Sequence, residues 1–220
     1  ADMIWTSDEC TYVAPEPAPE PAPEPAPEPA SPTYRVVTSV VATATVVGVT
    51  TSGSDAVEIS VSMEASESNV YGMFGNDASA MVFPAAAQDT ALGADVGGVS
   101  AAALAVNPLL ALDDSWLSIG VTGGDSDALS FAPAGLFDSW NAGEELIESN
   151  GGIFWMSPSD GPSGSAVVAQ LAAGCGFHTV TFNLQGDSTG SDIDWRAIGV
   201  QASWSGPACP TPEYAYVARG

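Results

Sequence analysis

Residues 14–32 repeat Ala-Pro-Glu-Pro, with proline at Pro15, Pro17, Pro19, Pro21, Pro23, Pro25, Pro27 and Pro29 and again at Pro32. Every second residue of this tract lacks an amide hydrogen and has φ fixed by its ring. Each residue before a proline is pushed toward extended backbone. Neither helix nor sheet can form there, and an extended polyproline II arm is the expected state. At about 3.1 Å per residue the tract spans roughly 60 Å. Glu16, Glu20, Glu24 and Glu28 repel one another along it and keep it straight. The spacer divides the chain into a segment at 1–13, the tract at 14–32, a domain at 33–210 and a tail at 211–220.

The two ends share a character. Residues 1–13 carry Ile4, Trp5, Cys10 and Tyr12, side chains that favour burial, and thirteen residues cannot build a core alone. The tail carries Tyr214, Tyr216 and Val217 after Pro210 and Pro212. Ile4, Trp5, Tyr12, Tyr214 and Tyr216 are therefore expected to be docking contacts, buried on this domain or on a neighbour.

From Thr33 onward the signals are β. Tyr34 to Val49 is dense in valine and threonine, which suit a pleated surface. Val57, Ile59, Val61 and Met63 alternate with Glu58, Ser60, Ser62 and Glu64, as a half-buried strand does. Further strands are expected at 70–74, 116–122, 153–156, 166–172, 178–185 and 196–204, the last with Ile198, Val200, Ala202 and Trp204 on one face. Clusters at 51–55, 123–127, 157–164 and 186–194 punctuate them. About eight short strands with such turns predict an all-β fold, an antiparallel β-sandwich or jelly roll. Residues 101–112 could form a short helix, and 143–149 one or two helical turns.

Charge and cysteine content narrow the partners. The chain has 27 acidic residues, three arginines and no lysine, for a net charge of -24. Such a surface repels nucleic acid and anionic lipid and favours divalent cations. No apolar run is long enough to span a membrane. Only 14% of residues are charged, so Ser, Thr, Gly and Asn must cover much of the surface, as in exported proteins. The opening Ala1-Asp2-Met3 suits either a mature end after signal cleavage or part of a longer product. Cysteines occur only at Cys10, Cys175 and Cys209, with no C-x-x-C spacing. A Cys175–Cys209 disulfide would leave Cys10 free or available to another chain, and three buried thiols are the alternative.

Candidate chemistry is sparse. Gly186-Asp187-Ser188-Thr189-Gly190 matches a G-x-S-x-G elbow in form, but no histidine follows it, and the lone His178 lies in the preceding strand. No catalytic residues are assigned, and none of the readings requires a cofactor. Asp125 and Asp127, together with Asp187, Asp192 and Asp194, offer carboxylates on short turns that a Ca²⁺ ion could use, although neither loop fits the EF-hand pattern. Asp113-Asp114 is a further pair of that kind. The same residues also suit ordinary Asx-turns. Six tryptophans fit a core, or a sugar-stacking face if two or three of them are exposed together.

No N-x-[ST] sequon occurs, so any glycan must be O-linked. The repeated Ala-Pro units and Ser31-Pro32 resemble the hydroxyproline-rich glycoproteins of algal and plant walls. That resemblance covers 14–32 and implies sugars on the tract prolines named above and on Ser31. Within the domain, the runs 69–75, 114–121 and 152–164 look like a repeat module of secreted microalgal and protist proteins. A β module joined to a proline-rich, glycosylatable tract also resembles the protomer of extracellular helical glycofibrils. Two functions are therefore expected in order. The first is a non-enzymatic subunit of an extracellular fibril or cell-surface matrix, bound to copies of itself and to covalent glycans. The second is a Ca²⁺-dependent carbohydrate-binding module on a linker.

Overall fold

The computed structural model describes residues 4–6, 9–11, 34–124 and 127–210. It divides into two compact units, 1–32 and 33–220. In the first, β1 (Ile4–Thr6) and β2 (Glu9–Thr11) pair antiparallel, with Trp5 opposite Cys10. The segment expected to act as one strand is thus a hairpin. A lone two-stranded hairpin is marginal in water, so it still needs a surface to pack on. The polyproline tract, Tyr12, Tyr214, Tyr216 and Asp125 lie outside the described residues.

The second unit contains, in order, β3 (Arg35–Val36), β4 (Val41–Val49), β5 (Asp55–Ser62), β6 (Gly72–Gly75) and β7 (Met81–Phe83). After these come the short helices α1 (Ala101–Val106) and α2 (Leu110–Asp113). Then follow β8 (Trp116–Leu117), β9 (Leu129–Ala132), β10 (Leu146–Glu148), β11 (Gly151–Trp155), β12 (Ser165–Ala172), β13 (Phe177–Gly186) and β14 (Trp195–Ser205). One sheet runs β10-β7-β13-β6-β11-β9, with β14 on the other side of β13 and β3 parallel to β14. The second sheet runs β4-β5-β12-β8. The protein is an all-β sandwich.

The alternation that predicts β5 is the alternation that builds the core. Val57, Ile59 and Val61 are fully buried and Met63 nearly so. They face Val168 and Leu171 of their own sheet's β12 and, across the sandwich, Met73, Phe83, Phe182, Leu184 and Trp195 of the other. The rings of Phe83 and Phe182 stack 5.9 Å apart. His178 is half-buried, its Nε2 3.0 Å from the Gly174 carbonyl and its ring against Trp204, in phase with buried Val180, Phe182 and Leu184.

The inward face of β14 departs from the expected one. Val200, Ala202 and Trp204 are buried, but Ile198 is exposed and Trp195 and Ala197 point inward instead. The ladder shifts between the Phe182–Val200 and Leu184–Ala197 pairs. Gly199, at φ +67°, occupies the left-handed region there, and the extra residue reverses the phase. Residues 143–149 form no helix: a turn closes at Asn141 and Glu144, and β10 follows. The helical expectation at 101–112 holds as α1 and α2, separated by Asn107-Pro108.

Cys175 and Cys209 form a disulfide just past the open end of the β13–β14 ladder. It closes a loop of sequence separation 34, which in the chain-entropy account stabilises the fold by about 4 kcal/mol.

Candidate functional site

Two surface features remain unexplained by the packing of the core. The first is the outer edge of β4. It is nine residues long, without charge or proline, and it pairs only with β5. Four exposed valines line it: Val41 60%, Val46 52%, Val47 45% and Val49 61%. The opposite end of that sheet is covered, because the short β8 meets Val96 in a parallel bridge. Residues opposite one another in a ladder share a face, and Val46 lies opposite buried Val57, as Ala44 lies opposite Ile59. Val46 therefore belongs to the inward-facing row, yet half of it meets water. The sandwich is not roofed at this margin. β4 approaches β14 to within 8 Å between Cα atoms without forming a ladder, so its backbone groups on that side have no strand partner among the described residues.

The second feature is a groove of about 490 Å³ on the outer face of the larger sheet, across β9, β11, β6 and β13. Register explains its shape. Phe74 stands opposite Gly152, and Phe154 stands opposite Gly72, so two rings alternate with two glycines. At Gly152 a Cβ would lie 2.1 Å from the Met73 carbonyl oxygen, and close backbone approach demands glycine. At Gly72 the nearest atom would be Gln185 Cβ at 3.7 Å, an ordinary contact, so neither clash nor a left-handed φ requires the glycine. At one end Arg196 lies over the Tyr34 ring, 4.3 Å from its centroid, and near Phe74 at 5.4 Å, while its Nε donates to Gln185 Oε1 at 2.9 Å. Among the described residues Arg196 has no carboxylate partner; the ion pair present there joins Arg35 to Glu67 at 3.0 Å.

The acidic loops are occupied with structural hydrogen bonds. Asp187 Oδ2 accepts from Asn69 Nδ2, and the Asp187 amide donates to Asn69 Oδ1. Asp194 Oδ2 accepts from Tyr71 Oη at 2.6 Å and from Gln185. Burial, and then the bond to Asp194, push the Tyr71 hydroxyl up to about 12. Asp127 and Asp192 are exposed. Asp113 caps the turn at Thr51. Among the described residues no group of three or more metal-ligating side chains comes together. Ser188 sits just past one end of β13 and His178 near the other, ten positions apart along extended chain, or roughly 33 Å, so they cannot act as a pair.

Trp116, Trp140, Trp195 and Trp204 are buried and Trp155 is half-buried, its Nε1 donating to the Ile119 carbonyl. These five indoles build core rather than a stacking face. No helix of the described residues is long and apolar enough to cross a membrane.

Two buried carboxylates, Asp114 and Glu67, hold loops together and carry no signature in the sequence. Asp114 is fully buried and accepts amides from Asp89 and Ala94, each at 2.8 Å. Burial pushes its carboxyl up to about 6. Asp95 is also raised, by burial first and then by the charge of Asp138. For Glu67 burial acts upward, but hydrogen bonds from Ser66 and Arg35 and the Arg35 charge outweigh it and hold the group low. Raised groups contribute stability that is complete below their unfolded value and lost as pH rises through the folded one; Glu67 does the reverse. Melting temperature is therefore expected to rise as pH falls from about 7.5 to about 5, and to fall again below about 3. Scanning calorimetry across that range checks it, and a steady decline from 7.5 to 5 would contradict it.

Fold and surface together define a two-sheet β-sandwich with one unroofed margin and one glycine-floored groove. No family model, curated protein or solved structure matches the chain.

Proposed function

We propose that the chain is a structural subunit of an extracellular fibril or cell-surface matrix that assembles head-to-tail by strand addition. The observation that carries this is β4, an uncharged nine-residue edge with four exposed valines. Natural sheets normally protect such edges with charge, proline or a cover, and an unprotected one is a template for another chain. The segment holding Ile4, Trp5 and Tyr12 is a suitable donor, carried on a stiff reach of roughly 60 Å. Because it is a hairpin, one of its own free edges would extend the neighbour's sheet. A donor and an acceptor on different parts of one molecule give a heterologous contact, which does not close and so propagates as a filament. Tyr214 and Tyr216 of the tail are further contacts in this reading, and Cys10 is available to bond a neighbour.

The Cys175–Cys209 bridge is the kind that persists in oxidising compartments, which supports export. O-linked sugars on the tract prolines and Ser31 complete the reading. Ca²⁺ at the Asp187–Asp194 loop belongs to the carbohydrate-binding alternative, for which an exposed tryptophan face would be the supporting feature.

Deleting residues 1–32 is expected to leave a chain that does not polymerise under conditions where the full chain forms fibrils, as seen in negative-stain images. Normal fibrils from the truncated chain would remove the arm as connector.

A further inference from the structure

The groove on the larger sheet has a shape and charge that strand addition does not use. Its rings, Phe74 and Phe154, stand opposite Gly152 and Gly72 in an aromatic-lined groove of the kind that recognises polyproline II, and Arg196 at one end lies over the Tyr34 ring. A polyproline II ligand loses little entropy on binding because it is already extended. Gly72 is the telling position. Its backbone tolerates a side chain and its surroundings would accept one, so its lack of a side chain serves the open space above it. Arg196 is the second. In a chain of 27 acidic residues and three arginines, a cation without a carboxylate partner among the described residues borders this one groove.

We propose that the groove is a binding site for a glutamate-bearing polyproline II segment, and that its occupant is the Ala-Pro-Glu-Pro tract, residues 14–32, of a second copy. The tract repeats a glutamate every fourth residue, at Glu16, Glu20, Glu24 and Glu28, so several registers bring a carboxylate to Arg196. A strongly acidic body repels an acidic tract over most of its surface, and Arg196 marks the place where that repulsion is locally reversed. A polyproline II helix has three residues per turn and touches a groove along one side, so the remaining prolines stay open to modification. The inference rests on the assembly reading only in naming a second copy as the donor. It accounts for how a long spacer would be held along the neighbour.

The test uses the full chain and an unmodified synthetic peptide of residues 14–32 carrying a photo-crosslinker at Ala22. Saturable crosslinking to the groove strands β6 and β11 is expected, weakened at least tenfold by Gly72→Val and by Arg196→Glu. A peptide with its four glutamates changed to arginine should recover binding to the Arg196→Glu chain. Phe154→Ala serves as a second groove variant if Gly72→Val unfolds. Crosslinks elsewhere on the body, or binding indifferent to all three substitutions, would overturn the proposal. So would displacement of the peptide by a neutral oligosaccharide that binds more tightly, which would assign the groove to sugar. Removing residues 1–13 should stop polymerisation without changing peptide binding. The strand-addition reading and this one can therefore fail separately.

Discussion

Asn183→Ala is expected to cost about 1.5–4.5 kcal/mol of stability, at ~0.5–1.5 kcal/mol for each of the three hydrogen bonds its side chain makes. Asn183 is fully buried on the outward side of β13, at the point where that strand stops pairing with β6 and starts pairing with β7. Its Nδ2 donates to the carbonyls of Phe74 at 2.9 Å and Ser79 at 2.7 Å, and its Oδ1 accepts from the Gly199 amide at 2.9 Å. One side chain thus serves the end of β6, the turn before β7 and the bulge that sets the phase of β14. Asn183→Asp keeps the acceptor but sets a carboxylate against two carbonyls, and should cost at least as much. Urea unfolding at constant m-value measures both, and a loss under about 1 kcal/mol for Ala would mean the three backbone groups find other partners.

The second large effect concerns β4. Val41→Lys with Val49→Lys places two charges on the free edge, the device by which natural sheets discourage added strands. Both positions are about 60% exposed, so folding stability should change by less than about 0.5 kcal/mol per site. Assembly, by contrast, should need at least tenfold more protein, read by sedimentation. The sign makes the result informative. Two lysines bring the net charge of -24 closer to zero and would by themselves favour association of an acidic chain. A loss of assembly therefore reports the edge and not the overall field.

Much of this architecture was legible in the residues. The period-two pattern at Val57, Ile59, Val61 and Met63 placed a core strand and its buried face correctly, because burial on one side of a pleat imposes that period. The pairing of Cys175 with Cys209 was legible for a simpler reason: only three cysteines exist, and one stands beyond the proline tract. The outward turn of Ile198 is not legible in the sequence, because the bulge is set by a single residue in the left-handed region and Gly199 carries no periodic signature. The strands at 81–83, 129–132 and 146–148 carry no sequence signal, because three or four residues are too few to show a period.

The candidate sites were less legible still. Tyr34 to Val49 announced a strand, but whether a strand lies at an edge depends on pairings far away in sequence. The groove depends on cross-strand register, Phe74 with Gly152 and Phe154 with Gly72, between segments some 80 residues apart. Glu67 and Arg35 likewise meet across 32 positions. The expectation of Ca²⁺ at the Asp-rich turns rested on composition. Asp187 and Asp194 also accept hydrogen bonds from Asn69 and Tyr71, donors from a distant loop that their place in the sequence does not reveal.

Hydrogen–deuterium exchange on the full chain, compared between dispersed and assembled states, tests strand addition most directly. If a neighbour's strand joins β4, the peptide covering 41–49 should show slowed exchange at those amides that point away from β5, while the amides already paired with β5 change little. If the assembled chain protects other surfaces and leaves 41–49 exchanging as fast as before, β4 is not the acceptor and the proposed mode of assembly is wrong.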